Sequence, residues 1–374
     1  MATTGLPRRN NSQNWELPPE YVFSWNRYPR CSSQDSHAVV QEVRMPPFPP
    51  SSALHARKPI ARLESPHGWF AVGWSRECRP GSVFTTRLNS REIVVFRTES
   101  GKLVAADAYC PHLGAHLGQG GKVVREEIRC PFHGFRFSTT GACTHNPYGT
   151  PPPAARLGTI PVLERYGAIL VYSGPETTPA WEPPDDDSSQ WRGLLVRSHS
   201  FHGHPQEVTE NSVDLGHLRI LHAFGEVRAA QPLTVDGPLL RAGYGIRRRL
   251  IGQAGMDATF DLVAAGLGVS IVELTLPAFR VRLRLLVLPT LESDGKVVLR
   301  LAVSARRSRK VLSTALSAIL ARITLAAFSQ EVRRDIDIWR HKTYLARPAI
   351  ADGDGQIGRY RQWVKQFYSM DGAL

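Results

Sequence analysis

Two short pairs of cysteine and histidine residues constrain the fold of this chain more than any other feature. Cys110 and His112 are followed, after 17 intervening residues, by Cys130 and His133. Thiolate and imidazole groups in such close pairs are typical metal ligands. Glycines follow both pairs closely and permit the tight turns that bring each pair to one centre. The pattern therefore predicts two loops that face each other across a buried metal site.

The order of the ligands distinguishes two kinds of metal site. Zinc commonly binds two cysteines and two histidines, so a structural zinc ribbon is one interpretation. Here each pair supplies one thiolate and one imidazole, as in a Rieske [2Fe–2S] cluster, where two cysteines hold one iron and two histidines hold the other. Neutral imidazoles raise the reduction potential relative to an all-cysteine cluster. We therefore expect Cys110, His112, Cys130 and His133 to bind one Rieske cluster that relays single electrons.

A second metal site is predicted about 80 residues further along the chain. Residues 206–225 are predicted to form one helix that Gly225 ends, with Asp214 and His217 three apart on one face. His222 lies five residues beyond His217, so the helix must bend or end there if both imidazoles are to reach one ion. Two histidines and one carboxylate form the facial triad of non-haem Fe(II) oxygenases, which leaves positions open for O2.

The third ligand must come from another element, and the long helical pattern over residues 311–344 offers three carboxylates. Asp335 is the first choice, because Ile338 and Trp339 lie three and four residues on and place it on an apolar, inward-facing stripe. Asp337 falls on the opposite side and is expected to face solvent. Glu331, one turn before Asp335, is a candidate to support a ligand. The alternative for Asp335 is a surface carboxylate paired with arginine.

The chain divides into four parts on its local patterns. Residues 1–60 are an irregular, Pro-rich arm, and residues 61–176 contain short β segments separated by turn residues. Residues 177–190 form a linker. Residues 191–374 begin with a strand and the helix that carries the histidines, and continue with several strands and the long helix. A sheet backed by helices after an all-β domain predicts an α+β fold.

The composition limits the class of protein to which the chain can belong and the kinds of partner it can bind. The chain has 374 residues, which favours two domains, and its five cysteines are too few for a disulfide scaffold. Without a secretory signal or about 18 uncharged apolar residues in a row, we expect a soluble cytoplasmic protein, with peripheral membrane association as the alternative. The net charge of +13 suits an acidic protein partner, an anionic membrane or simply a solvated surface. No nucleic-acid-binding signature accompanies the charge, so nucleic acid is not expected.

Together these residues resemble the Rieske non-haem iron oxygenases, α-subunit type, over roughly residues 65–370. Within that superfamily, several stretches look like the cholesterol 7-desaturase group and the bacterial 3-ketosteroid 9α-hydroxylase oxygenases: HGWFAVGWS, GGKVVREEIRCPFHGFRFSTTGACTHNPYG, GAILVYSG, PAWEPPD and VTENSVDLGHLRILH. The stretches VRRDIDIWRHKTY and RYRQWVKQFY also look like the aminopyrrolnitrin oxygenase branch. The animal desaturases carry a membrane-spanning segment before the Rieske domain, where this chain has its polar arm.

The resemblance implies a fold and a set of site residues. It implies an N-terminal all-β Rieske domain and a C-terminal helix-grip-like catalytic domain, in which an antiparallel sheet is backed by helices. One mononuclear Fe(II) would be bound by His217, His222 and Asp335. The assembly would be a homotrimer in which Asp214 bridges His217 to His133 of the partner subunit. Asn211 would support the open side of the iron.

The resemblance also implies a terminal oxygenase. Electrons from NAD(P)H would arrive through a separate reductase, with or without a ferredoxin, because the chain lacks a GxGxxG motif after a strand. The apolar second-domain strands favour hydroxylation or desaturation of an apolar, steroid- or sterol-like small molecule by O2. The alternative is a secondary-metabolite oxygenase that performs hydroxylation, oxidative cyclisation or arylamine oxidation. A pure electron carrier is disfavoured, because it would need neither the second metal motif nor about 200 further residues.

Overall fold

Short antiparallel strands form the region that carries the two Cys–His pairs. The computed structural model describes residues 64–150, 153–175, 178–249, 255–308 and 311–369, so the predicted arm, residues 1–60, lies outside the described residues. The strands are β1 Gly68–Trp74, β2 Val83–Leu88, β3 Arg91–Arg97, β4 Leu103–Asp107, β5 Lys122–Val124, β6 Glu127–Arg129, β7 Arg136–Ser138, β8 Cys143–His145, β9 Thr159–Ile160, β10 Val162–Arg165 and β11 Ala168–Ser173. They pair in three sheets, ordered β1-β11-β10, β2-β3-β4-β9 and β5-β6-β7-β8. The predicted all-β character of this region is confirmed.

One predicted strand of this region is in fact a hairpin. The stretch KVVREEIRC forms β5 and β6, which turn at Arg125 with a φ of 55°. Glu99 holds this turn: its side chain accepts a hydrogen bond from the Arg125 N–H, and its own N–H donates to the Arg125 carbonyl, both at 2.9 Å. A left-handed backbone at a residue other than glycine is uncommon, so the local sequence did not indicate the turn.

The second region is one antiparallel sheet with helices. Its elements are β12 Trp191–His202, α1 Pro205–Glu210, α2 Leu215–Ile220, β13 Glu226–Asp236, β14 Leu239–Arg249, β15 Gly255–Ala265, β16 Val269–Leu276, β17 Val281–Ser293, β18 Lys296–Arg306, α3 Val311–Trp339 and α4 Ile357–Val364. The seven strands lie in the order β12-β18-β17-β16-β15-β14-β13. The predicted α+β class is confirmed.

The prediction of one helix over residues 206–225 is wrong, because two short helices, α1 and α2, stand there instead. α1 ends at Glu210, and Thr209 donates from its hydroxyl to the Leu267 carbonyl as well as to its own helix. Asp214 then caps α2 by accepting a hydrogen bond from the His217 N–H at 3.0 Å. α2 ends at Ile220, before Gly225, so the prediction that the helix must end between His217 and His222 holds.

The sequence did not predict β13, β14 and α4. Nine of the eleven residues of β13 are exposed, and two register shifts interrupt its pairing with β14. An edge strand of this kind shows no regular alternation of apolar and polar residues, which is the signal that identifies strands in sequence. α4 is only eight residues long and is held by tertiary packing of Tyr360 and Trp363.

The large sheet has an apolar layer on each face. Along β17, Leu283 and Leu285 pack towards α3, whereas Leu286 and Leu288 pack with Trp69 of β1, because successive side chains of a strand point to opposite faces. The partly buried Arg300 of β18 donates hydrogen bonds to the β1 carbonyls at 2.7 and 3.1 Å. The sheet therefore lies between α3 and the Cys–His region, and the two regions share one core.

α3 departs from a sequence-based expectation. The segment Ser313–Trp339 is long and apolar enough to cross a membrane by length and composition, although the sequence led us to expect no such helix. Core helices of globular proteins share this length and composition. The inner side of α3 packs on the sheet through Ala321, Leu325, Val332 and Ile336. α3 thus covers one face of the sheet over β12, β18 and β17, and brings Asp335 towards α2.

Candidate metal centres and active site

The two Cys–His loops share one backbone design, which the sequence order predicts. In each loop the cysteine N–H donates to the carbonyl five residues on at 2.8 Å. The cysteine carbonyl accepts from the glycine four residues on, at 2.9 Å for Gly114 and 3.2 Å for Gly134. Both glycines have a left-handed backbone, with φ of 73° and 70°, which favours glycine. Cys110 and Cys130 therefore start two equivalent turns, which we call the cluster loops.

The side chains of the cluster loops suit a [2Fe–2S] cluster. The His112 and His133 rings lie 5.0 Å apart between centroids, and both cysteines are buried. The buried Nδ1 of His133 has no hydrogen-bond partner among the described residues, as a nitrogen that binds iron requires. Burial raises the pKa of the Cys110 thiol to about 11, so a bound cation is what would convert it to a thiolate. The residues present therefore fit the group.

The residues chosen for mononuclear iron also come together. One potential ligand atom from each of His217, His222 and Asp335 lies within 4.8 Å of the other two. His222 Nε2 is 3.1 Å from Asp335 Oδ1, and the two imidazole rings are 5.0 Å apart. α2, the turn after it and α3 each contribute one residue. We call His217, His222 and Asp335 the iron triad.

Hydrogen bonds leave the same nitrogen of both histidines free for a metal. His217 Nδ1 lies 2.6 Å from the Asp214 carbonyl, and His222 Nδ1 lies 2.9 Å from Glu331 Oε2. Because each acceptor needs a proton on Nδ1, Nε2 of each ring keeps its lone pair. Glu331 also accepts from Arg334 at 2.8 Å. Glu331 is thus in position to orient the His222 ring as a metal ligand.

Asp335 supplies the negative group of the iron triad. Its Oδ1 is buried and lacks a well-directed hydrogen bond among the described residues. Burial lowers the pKa of His222, but the carboxylates of Asp335 and Glu331 outweigh it and raise the pKa above its ordinary value. A site that favours a positive charge between an imidazole and two carboxylates suits a divalent cation. The iron triad therefore fits Fe(II).

The reason for choosing Asp335 is only partly correct. Asp337 is exposed and Trp339 is buried, as predicted, but Ile338 is 52% exposed rather than inward-facing. The inward face of α3 runs instead through Asp335, Ile336 and Trp339. Asp335 is buried all the same, so it is not a surface carboxylate of the kind considered as the alternative.

Asp214 and Asn211 stand at the ends of the two short helices. The Asp214 carboxylate caps α2, and its Oδ2 lies 3.8 Å from His217 Nδ1, beyond hydrogen-bond distance. The imidazole donates to the Asp214 backbone carbonyl instead. Burial opposes ionisation of Asp214, but the hydrogen bond from the His217 N–H and the nearby imidazole prevail and lower its pKa. Asn211 occupies the C-cap of α1. The bridging role of Asp214 and the supporting role of Asn211 stay predictions.

A buried ionic network beneath α1 was missed by sequence reasoning. Glu207 and Glu210 are buried, and Arg361 of α4 pairs with Glu210 at 2.7 and 3.0 Å. Lys342 lies 3.4 to 3.6 Å from both carboxylates. The network ties α1, and through it the start of the iron-binding segment, to the C-terminal part of the chain. In the sequence these glutamates indicate only a helix N-terminus.

Comparison with known families agrees with the two-domain organisation and with the cluster domain. Residues 68–164 match the Rieske [2Fe-2S] domain, and residues 172–368 match the 3-ketosteroid 9alpha-hydroxylase C-terminal domain. The chain belongs to the Rieske non-haem iron oxygenases. The resemblance inferred from the motifs is therefore confirmed, and this Rieske oxygenase carries the domain that binds a [2Fe–2S] cluster.

Individual relatives and solved structures agree with this family. The oxygenase is 31% identical over 347 residues to a cholesterol 7-desaturase of Bombyx mori, covering 85% of this chain and 73% of the relative. It is 26% identical to the oxygenase component of a 3-ketosteroid-9-alpha-monooxygenase of Rhodococcus rhodochrous, covering 82% and 84%. Dicamba monooxygenase bound to dicamba has the same fold, with a TM-score of 0.64 at 20% identity, covering 80% of this chain and 96% of that one.

Proposed function

We propose that this Rieske oxygenase is the terminal component of a multicomponent system. A separate reductase passes electrons from NAD(P)H to it, and it uses O2 to hydroxylate or desaturate an apolar, steroid- or sterol-like substrate. The observation that carries the proposal is the position of the iron triad against an apolar layer. The His222 ring lies 5.4 Å from the Phe224 ring. Phe224 packs against the apolar core between α3 and the sheet, and so do other half-buried apolar side chains: Leu218, Phe260, Val272, Leu320 and Phe328.

This lining favours an apolar substrate for a physical reason. Half-buried aliphatic and aromatic groups gain about 25 cal/mol for each Å² of apolar surface that a ligand covers. A small charged substrate would instead need charged or hydrogen-bonding partners. The names of the relatives, a cholesterol 7-desaturase and a 3-ketosteroid-9-alpha-monooxygenase, support a steroid or sterol as the substrate class.

The residues of both centres have distinct tasks in this reaction. When bound, the cluster supplies single electrons and Fe(II) supplies the site of O2 activation. The Asp214 carbonyl and Glu331 hold protons on Nδ1 of His217 and His222, which leaves each Nε2 free to bind the metal. Asp335 adds a carboxylate oxygen. The apolar side chains hold the substrate and exclude water from the carbon that reacts.

The overall reaction balances with the reductase as the source of electrons. In hydroxylation, a C–H bond, O2, two electrons and two protons give a C–OH group and one water. In desaturation, two hydrogens leave adjacent carbons, and O2 with the same two electrons and two protons gives two waters. NAD(P)H supplies both electrons through the reductase in either case.

We also propose that the oxygenase is a homotrimer in which the cluster loops face the iron triad of the partner subunit. Large apolar side chains at or beside the cluster loops are more than half exposed: Tyr109, Leu113, Phe132 and Tyr148. An exposed apolar patch of this kind typically marks an interface. The ionised Asp214 stands next to His217 and is partly exposed, as a bridging carboxylate must be.

Turnover of a steroid panel tests the proposed reaction. The purified oxygenase, a generic reductase and NADH are incubated with the panel, and products are identified by mass spectrometry. We expect a product heavier by one oxygen or lighter by two hydrogens, and none from Asp335→Ala. Iron analysis should give about three irons and two acid-labile sulfides per chain. Turnover of arylamines with no reaction of steroids would overturn the substrate class.

A further inference from the structure

The first half of α3 is apolar on both of its sides. Its inner side packs on the sheet through Ala321 and Leu325. On its outer side Leu316, Ile319 and Ile323 are 37%, 55% and 58% exposed. Exposed Ala326 and Ala327 extend this side. We call these five residues the α3 outer patch, and they follow one another at the spacings of three and four that align side chains along a helix.

A helix that is apolar all round is normally enclosed by protein or lipid. Here only 28% of the residues in the most apolar 18-residue window of α3 are buried. The outer side turns polar beyond the patch, where Gln330, Arg334 and Asp337 are exposed. The patch is thus bounded, and its exposure within a single chain calls for a covering surface.

The exposed charges that adjoin the patch along the chain are basic. Residues 295–330 contain seven Lys or Arg and no Asp or Glu, although Arg300 turns to the β1 face of the sheet and Lys296 pairs with Glu292. Residues 188–206 contain two Arg and no acidic residue. These stretches include β12 and β18, which are adjacent in the sheet, and the first half of α3, which packs on it. Arg306 and Arg307 are exposed just before α3, and Arg322 is exposed within it.

We infer that the α3 outer patch rests on the surface of an anionic lipid bilayer. Apolar helix residues flanked by arginines bind at the lipid headgroup boundary, and each basic residue near an anionic surface adds about 1 kcal/mol. α3 lies along the membrane in this arrangement and does not cross it, because its inner side stays packed on the sheet. Asp335 lies on the same helix, so the docked enzyme holds its iron triad beside a reservoir of apolar molecules.

Two other binding partners for the patch, a second copy of the chain and an acidic electron donor, fit the observations less well. A second copy of the chain packed patch against patch would bring the exposed Arg306, Arg307 and Arg322 of both copies together, and like charges across an interface cost free energy. An acidic electron donor must approach the cluster loops. Those loops belong to the strand region that packs on the face of the sheet opposite α3. An anionic bilayer offers apolar contact to the α3 outer patch and negative charge to the arginines beside it.

Vesicle binding of the full-length oxygenase tests this inference without turnover, so its outcome is independent of the proposed substrate. The protein is sedimented with vesicles of phosphatidylcholine alone, or of phosphatidylcholine with phosphatidylglycerol. We expect binding to the anionic vesicles that weakens with salt. The exposed pair Ile319→Glu and Ile323→Glu should weaken binding about a hundredfold or more, and Arg322→Gln about fivefold.

Ile338→Glu is the matched control, because Ile338 lies on the same helix, is 52% exposed and falls outside the patch. It should bind vesicles like the wild type. The absorption spectrum of the cluster reports that each variant is folded. Absence of wild-type binding to anionic vesicles, or wild-type binding by the double variant, would overturn the inference. So would a double variant whose only change is loss of self-association in sedimentation velocity, since the patch would then join two copies.

Discussion

Replacing Asp214 by asparagine and by alanine separates the cap of α2 from the proposed bridge between subunits. The Asp214 Oδ1 accepts the His217 N–H at 3.0 Å, and asparagine keeps that acceptor. Alanine removes it. Asparagine loses the negative charge and the capacity to accept from two imidazoles at once. Neither substitution alters the Asp214 backbone carbonyl, which lies 2.6 Å from His217 Nδ1.

The expected magnitudes follow from these contacts. Asp214→Ala should lower the free energy of unfolding by about 1 kcal/mol, the usual cost of losing a helix N-cap, whereas Asp214→Asn should cost only a few tenths. Both variants should retain iron, because the backbone carbonyl still orients His217. Both should slow electron transfer from the cluster to the iron by about a hundredfold, since neither carries the bridging carboxylate.

A single-turnover assay with the cluster reduced beforehand measures the transfer directly. Product is followed after mixing with O2 and substrate, and iron content and thermal unfolding are measured on the same samples. Asp236→Asn, an exposed aspartate at the end of β13, is the control and should behave like the wild type. Near-normal product formation by Asp214→Asn, together with reduced product only in the less stable Asp214→Ala, would show that Asp214 is only a helix cap.

Three further predictions concern Glu331, Asp335 and His204. Glu331→Gln should weaken iron binding about 10- to 100-fold, measured by competition with a chelator, because the 2.9 Å contact to His222 loses its charge; unchanged affinity would remove Glu331 from the site. Asp335→Ala should remove mononuclear iron and leave the cluster spectrum intact, whereas Asp337→Ala should retain both; the reverse result would mean that Asp337 is the ligand. Burial lowers the pKa of His204 to about 4, so the unfolded chain takes up a proton that the folded chain resists. Stability should therefore fall by ~3 kcal/mol as the pH drops from about 6.5 to about 4. His204→Asn, which keeps an acceptor for the Gln206 N–H, should remove most of that fall in denaturant titrations.

The candidate ligands could be chosen from the sequence because their chemistry is local. Cys110 and Cys130 each begin a turn in which the histidine and the glycine follow within five residues. Such a turn can be recognised from the sequence alone. His217 and His222 are likewise close in the chain. Asp335 had to be chosen among three carboxylates, and the structure brings that one to the histidines, although Ile338 does not face inward as the reasoning assumed.

What the sequence missed depends on distant contacts. Beside the break between α1 and α2, Thr209 donates from its hydroxyl to the Leu267 carbonyl, 58 residues away. The burial of Glu210 requires Arg361, which is 151 residues away. Periodicity over a short window contains no information on such partners, so it predicted one continuous helix and left both glutamates as ordinary helix-start residues.

The strand region and the large sheet share an apolar core, and this core limits how the cluster domain can move during turnover. With Trp69 packed against Leu286 and Leu288, and Arg300 bonded across to β1, the cluster-bearing region is fixed to the scaffold of the iron triad. A cluster domain packed in this way does not swing towards the iron site and away from it during turnover. In the proposed trimer, the distance over which an electron travels would then be set when the subunits assemble, and the timing of its transfer would depend on chemistry at the iron.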